Sequence, residues 1–152
     1  MTPRPGFRHD VADWVLAMPV AAELGFSFEE LAEGHSRTRL PWRRELSHTP
    51  GAFQAGPIGS LADFTGASAG ITMLPPGTLA ATADFTIKFL TQARGTELVA
   101  RARVLRPGTT IIVATVDIVA VTNNIERLCA TALITIRAII TADIAVEPRH
   151  AP

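Results

Sequence analysis

Between residues 48 and 82 the chain spaces out the residues best equipped for chemistry: His48, Gln54, Gly56, Asp63 and Thr82. Gly56 stands just before Pro57, and proline suits the opening of a helix because its missing N–H is not needed there. A helix N-terminus presents unpaired N–H groups and a partial positive charge. Negative charge developing on an oxygen could be held there, and glycine, with no Cβ, lets that oxygen come close. Asp63 falls about six residues into the helix, roughly 9 Å along its axis. A carboxylate in such a place can act as a base or a nucleophile. Each residue also has a plainer reading. Asp63 can be a solvated or capping helix carboxylate, Gly56 a turn residue, Thr82 a strand-surface threonine, and His48 an exposed loop histidine. Arg101, Arg103 and Arg106 gather on one strand and its turn. Arginine suits phosphate recognition, and a solvated strand face pairing with Glu97 explains the same cluster equally well.

The elements that must position these groups can be read from pattern. Val11 to Met18 makes a short helix, about 10–18, stopped by Pro19. Phe26 to Leu40 is patchy, with a candidate strand over residues 33–40, followed by a polar loop from Pro41 to Gln54. In Pro57 to Leu74, residues Ile58, Leu61, Ala62, Thr65, Ala69 and Thr72 recur at helical spacing. It also carries Gly59, Gly66 and Gly70, each costing about 1 kcal/mol of helix propensity relative to alanine. Such a helix is held by its surroundings, and small side chains let it lie close to a sheet or another backbone. Pro75-Pro76-Gly77 ends it.

The second half reads as strands over about 78–90, 96–106, 109–121 and 125–140. In the first of these, Leu79, Ala81, Ala83, Phe85, Ile87 and Phe89 are expected on one face, with Thr82, Asp84, Thr86 and Lys88 on the other. Pro107-Gly108 and Asn123-Asn124 are turns, so three strands form an antiparallel meander. Thr109 to Val121 is apolar on both faces apart from Asp117, which suggests an interior strand. The tail after Thr141 is expected to fray. One helix on one antiparallel sheet is an α+β layout in a single domain, 1–152.

Composition narrows the function classes. Lys plus Arg and Asp plus Glu number 14 each, so no net field favours nucleic acid or an anionic membrane. Hydrophobic residues make up 47% and charged residues 18%, apolar enough to suggest burial against a partner chain. Cys129 is the one cysteine, which excludes a disulfide framework and a cysteine-based metal cluster and is compatible with a reducing cytosol. Met1 to Asp10 lacks an apolar signal core. The longest apolar runs, broken by Asp117 and Arg137, are too short to span a bilayer. A cytoplasmic chain complete in itself is expected.

The loop and helix His48-Thr-Pro-Gly-Ala-Phe-Gln54-Ala-Gly56-Pro-Ile-Gly-Ser-Leu-Ala-Asp63, with this element order, resembles the PaaI-like hotdog thioesterases. The resemblance covers roughly Gly25 to Ile139. In that family a His-Gly-Gly motif opens the central helix and an Asp follows nine residues after the His. Gln54 stands at the His position, Ala55 and Gly56 at the glycines, and Asp63 at the Asp. His48 corresponds to a loop Asn of some members, and Thr82 to a Ser or Thr on the following strand. Two departures stand out: Gln for His and His for Asn.

The resemblance implies a hotdog fold, an antiparallel sheet wrapped around one long central helix. It also implies hydrolysis of acyl-CoA to free acid and CoA without metal or cofactor. Asp63 would be general base or nucleophile, and Gly56 N–H the oxyanion donor. Thr82 would hydrogen-bond the attacking water or Asp63. Gln54 would support the loop or bind the carbonyl through its amide, and His48 could donate to the same oxygen. Arg103 and Arg106 are candidates for the CoA phosphates. The axial gap between Gly56 and Asp63 favours a site shared across a homodimer, or a tetramer built from such dimers. Two rival classes stand beside this: a non-catalytic acyl-CoA or acyl-carrier binding protein, favoured by loss of the motif His, and a hotdog hydratase or dehydratase, disfavoured by Gln54.

Overall fold

The computed structural model describes residues 6–139. Two helices come first, α1 (His9–Leu16) and α2 (Pro19–Leu24). The helix expected over 10–18 is α1, which ends before Pro19, and a second helix that was not expected follows it. Pro19 opens the second, because fixed φ and a missing N–H suit a first helical position.

A hairpin follows, β1 (Ser27–Ala32) with β2 (His35–Pro41). The turn residues Glu33 and Gly34 both have positive φ, 49° and 78°, the geometry whose twist suits a two-residue hairpin. The candidate strand over 33–40 is thus β2, shifted by the turn. β1 was missed for a physical reason: it is a sheet edge, and its Glu29 pairs with Arg37 and Arg39 of β2 at 2.8 and 2.7 Å, so no clean apolar alternation appears. The polar loop after Pro41 contains a small ribbon, β3 (Ser47–Thr49) and β4 (Ala52–Phe53).

Next come α3 (Ala55–Ile71), β5 (Leu79–Phe89), β6 (Glu97–Arg106), β7 (Ile111–Thr122) and β8 (Ile125–Ile139). The four strands lie within two residues of the expected ranges. The last residue of the expected final strand and the tail after Thr141 lie outside the described residues. α3 begins two residues before Pro57 and ends at Ile71 rather than Leu74. Pro57 sits third in the helix, still among positions whose N–H has no partner within the helix.

The main sheet has six antiparallel strands in the order β1-β2-β6-β7-β8-β5. β7 is interior, as its two-sided apolar character suggested. Ile112, Ala114, Val116 and Ile118 are buried on the helix side, while Val119 and Val121 pack with Val99 on the other.

α3 lies across the sheet against β2, β5, β6, β7 and β8. Its glycines explain how closely it sits. A Cβ on Gly66 would run into Ile134 and come within 2.9 Å of Val116, and one on Gly70 would come within 2.7 Å of Ile136. Below the helix, Thr65 Oγ1 donates to Leu61 O at 2.6 Å, leaving Thr38 to donate to Thr65 at 2.7 Å. These two buried hydroxyls tie α3 to β2 without an unpaired polar group at either. At the helix C-terminus, the Arg8 guanidinium donates to Thr72 O at 3.1 Å, a cation placed where the helix dipole favours one. Among the described residues no helix is long and apolar enough to cross a membrane.

Candidate active site

β5 carries the feature that assembles the site. Its register with β8 runs Thr82↔Ile136 and then Asp84↔Thr135, so Ala83 is an inserted residue, a β-bulge. Side chains alternate faces along a strand, and one extra residue inverts the phase. Before the bulge Thr82 pairs with Ile136, which is buried under α3; after it Phe85 pairs with Ile134, also buried there. Thr82 therefore shares the helix-facing side with Phe85, Ile87 and Phe89. The expectation that Thr82 lies on a separate polar face is corrected: continuous alternation was assumed, and the bulge breaks it.

From that side Thr82 Oγ1 donates to Asp63 Oδ1 at 2.7 Å. Asp63 is half-buried on α3. Burial strips water from its carboxyl and pushes it above the usual carboxylate range, while the Thr82 hydrogen bond pulls it part of the way back. Asp63 lines a hollow of about 370 Å³ with Ala55, Gly56, Gly59, Ser60, Phe85, Ile87 and Phe89. This hollow runs along α3 from its N-terminus to the carboxylate and is walled by apolar side chains of β5. A Cβ on Gly59 would meet nothing within 4 Å, so this glycine opens onto the hollow. Gly66 and Gly70, by contrast, face the sheet.

The start of α3 differs in detail from expectation. Gln54 is the N-cap, and its side-chain Oε1 accepts a hydrogen bond from Gly56 N. The N–H expected to serve as oxyanion donor is thus occupied by the protein's own amide oxygen. Ala55, the first helical residue, keeps an N–H with no partner among the described residues. The signal for this N–H is the N-cap position of Gln54, which makes Ala55 the first residue of the helix. The backbone of Gln54 is pinned by N–H donation to Leu46 O at 2.8 Å. His48 is exposed, its Nδ1 3.2 Å from Thr49 Oγ1. It lines a second hollow, about 440 Å³, with Gln54, Ala55, Phe89 and Gln92. Ala55 and Phe89 border both hollows, so His48, Gln54, the helix N-terminus and Asp63 lie along one continuous surface.

Arg103 and Arg106 are not brought there. Arg103 lies opposite Thr115, and Arg106, past a second bulge, lies opposite Val113. Both pairs are on the sheet face away from α3, whose own side carries Ala102, Ile112 and Ala114. On that outer face Arg101 bonds Glu126, and Asp117 accepts from Thr131 Oγ1 at 2.8 Å. Asp117 and Arg137 do not pair with each other: the register places Asp117 between Arg101 and Thr131, and Arg137 beside Ile111. Among the described residues no group of three or more His, Cys, Asp or Glu could hold a metal ion.

A six-stranded antiparallel sheet wrapped around one long helix is the hotdog fold. Residues 55–126 match the family model of the thioesterase superfamily. A candidate esterase of Halobacterium salinarum is 37% identical over 101 residues, 63% of this chain, and the chain spans 66% of that protein's length. A crystallised thioesterase family protein of Silicibacter pomeroyi is 30% identical with a TM-score of 0.82, over 86% of this chain and 96% of that one. The chain belongs to the thioesterase superfamily. Two more distant structures share its fold. The PaaI protein of the E. coli phenylacetic acid degradation operon is 21% identical, with a TM-score of 0.73 over 87% of this chain and 95% of its own. A hypothetical thioesterase of Streptococcus pneumoniae, crystallised with coenzyme A, is 21% identical, with a TM-score of 0.65 over 76% of this chain and 86% of its own.

Proposed function

We propose that the chain hydrolyses acyl-CoA to a free carboxylic acid and CoA, as a cytoplasmic homodimer with shared active sites. The observation that carries this is the Asp63 carboxylate. It is desolvated, held through one oxygen by Thr82, and set in the same apolar-walled hollow as Ala55, whose N–H at the start of α3 is free. The family and the coenzyme A bound by the Streptococcus relative support the choice of substrate.

In this reading the acyl carbonyl oxygen lies against the start of α3. The Ala55 N–H is the free donor, and Gly56 N–H joins it when the Gln54 side chain turns aside. Donors at a helix start are aimed before the reaction begins and so stabilise charge without reorganising. Asp63 Oδ1 is engaged by Thr82, which leaves Oδ2 to take a proton from water or to attack the carbonyl carbon. Collapse of the tetrahedral intermediate breaks the C–S bond and releases the CoA thiolate.

Ala55 and Asp63 are eight residues apart on α3, about 12 Å along the axis, too far for one carbonyl to touch both. A second copy closes that gap. β5 ends the sheet with an unpaired edge, and on it or just beyond Phe85, Phe89 and Leu90 are 44%, 49% and 54% exposed. An open apolar edge strand is a surface that pairs with another strand, and a two-fold dimer is the simplest way to pair it with itself.

The test is thiol release from short, medium, long and aromatic acyl-CoAs by the wild type and Asp63→Ala, with mass measured in solution. The expected result is turnover by a dimer, lost in Asp63→Ala while the dimer persists. A wild type that binds acyl-CoA and releases no thiol would be a binding protein. Hydration of an enoyl-CoA without thiol release would make it a hydratase.

A further inference from the structure

Ser60 lies one helical turn before Asp63 and lines the same hollow, half-buried. Helical hydroxyls usually fold back onto a carbonyl of the preceding turn. Two in or beside α3 do so: Thr65 bonds Leu61 O, and Thr72 bonds Ala69 O, each at 2.6 Å. Ser60 does not. Its hydroxyl has no hydrogen-bond partner among the described residues and opens onto the hollow beside the carboxylate.

We infer that Ser60 is a positioning residue that orients the attacking water against Asp63; this rests on the hydrolase reading. Residues three apart on a helix have Cβ atoms about 5–6 Å apart. That is the span of two hydrogen bonds meeting at one water. A water attacking a carbonyl gives one proton to the base, and its second O–H needs an acceptor if its lone pair is to be aimed. The Thr82 hydrogen is already committed to Asp63 Oδ1. Ser60 Oγ supplies the acceptor on the helix side. The balance is simple. The water oxygen forms the new C–O bond, its proton goes to Asp63 Oδ2, and the C=O pair moves onto the oxygen held at the helix start. On collapse the C–S pair leaves with the thiolate. The second O–H stays bonded to Ser60 throughout.

A purely architectural serine predicts something different. Alanine is the better helix former, and the Ser60 hydroxyl holds nothing in the fold, so Ser60→Ala leaves the thermal midpoint unchanged or slightly raised.

The experiment is steady-state thiol release by the full chain for wild type, Ser60→Ala, Ser60→Thr and Asp63→Ala, with melting curves for each. Ser60→Ala is expected to lower kcat about ten- to hundred-fold, the scale of losing one positioning contact. Its KM should stay within about two-fold and its fold intact, and Ser60→Thr should recover most of the rate. A wild-type kcat in Ser60→Ala, beside a dead Asp63→Ala, overturns the Ser60 role alone. So does a loss that tracks a lowered melting point and is not recovered by threonine. A wild type with no turnover, or an Asp63→Ala variant as fast as wild type, overturns the hydrolase reading and the Ser60 role with it.

Discussion

Thr82 and Asp63 meet across the bulge of β5, Oγ1 of the threonine 2.7 Å from Oδ1 of the aspartate. Two opposed effects act on one carboxyl as a result. Loss of water around Asp63 favours the neutral form, and the Thr82 donor favours the ionised one; burial is the larger. The carboxyl is left with a proton affinity above that of an ordinary aspartate, which makes it a better base once ionised.

If Asp63 is the base, it works deprotonated. The acid limb of kcat/KM should then fall at a pH above the usual aspartate value of about 3.9. A pH–rate profile from about pH 3.5 to 9 tests this. A rate flat through that acid range would remove Asp63 from the role.

The Thr82 hydrogen bond lowers the Asp63 pKa, so Thr82→Val should move the acid limb to higher pH and also reduce kcat. Thr82→Ser keeps the donor and should hold the limb near its wild-type place. A limb that moves to lower pH in Thr82→Val would contradict the hydrogen bond's effect.

The same shift is a stability statement. A carboxyl whose folded pKa is raised contributes stability fully below its unfolded pKa, and that contribution is lost as pH rises through the folded pKa. Asparagine cannot ionise and still offers Oδ1 to Thr82. Asp63→Asn should therefore melt at or above the wild-type temperature at pH 7, with the difference closing toward pH 3.5. Activity should be lost at every pH. A lower melting point at pH 7 than at pH 3.5, relative to wild type, would be the wrong sign.

Two glycines of α3 should respond oppositely to the same change. Gly66→Ala drives a methyl into Ile134 and Val116 and should cost about 1–3 kcal/mol by overpacking, less the helix-propensity gain. Gly59→Ala meets nothing within 4 Å and should gain up to about 1 kcal/mol. Gly59→Leu should keep the fold but fill the hollow and stop thiol release. Denaturant melts of the three variants, with rates, check the set.

Gln54→Ala removes the cap on Gly56 N–H, and lost caps cost about 0.5–2 kcal/mol. Gln54→Glu keeps an acceptor and adds charge favourable to a helix start, so it should retain stability. Held more tightly on Gly56, it should also raise KM for acyl-CoA if that N–H serves the carbonyl. Equal KM values for Gln54→Glu and wild type would assign the oxyanion to Ala55 alone.

Much of this was legible from local pattern. The periods of β5 to β8 and the turns at Pro107-Gly108 and Asn123-Asn124 are properties of neighbouring residues. The positive φ of both asparagines, 50° and 62°, is what such a turn requires. The run Gln54 to Asp63 was readable as a motif because its spacing lies within one helix. β1 was not legible, since Phe28, Glu29 and Glu30 show no alternation and Glu29 makes its ion pairs with arginines of another strand. Nor could the sequence show that Gln54 Oε1 would turn back onto Gly56, or that Ser60 would keep a free hydroxyl where Thr65 does not.

By itself, then, the sequence determined which residues could do chemistry and which elements carry them, because side-chain type and helix or strand period are local quantities. Only the tertiary structure decided which of them meet. One inserted residue, Ala83, reverses the phase of β5 and turns Thr82 toward Asp63. The register of β6 turns Arg103 and Arg106 to the opposite face. Strand register is set by pairing with distant strands and by packing under α3, and a shift of one residue there moves every later side chain to the other side of the sheet.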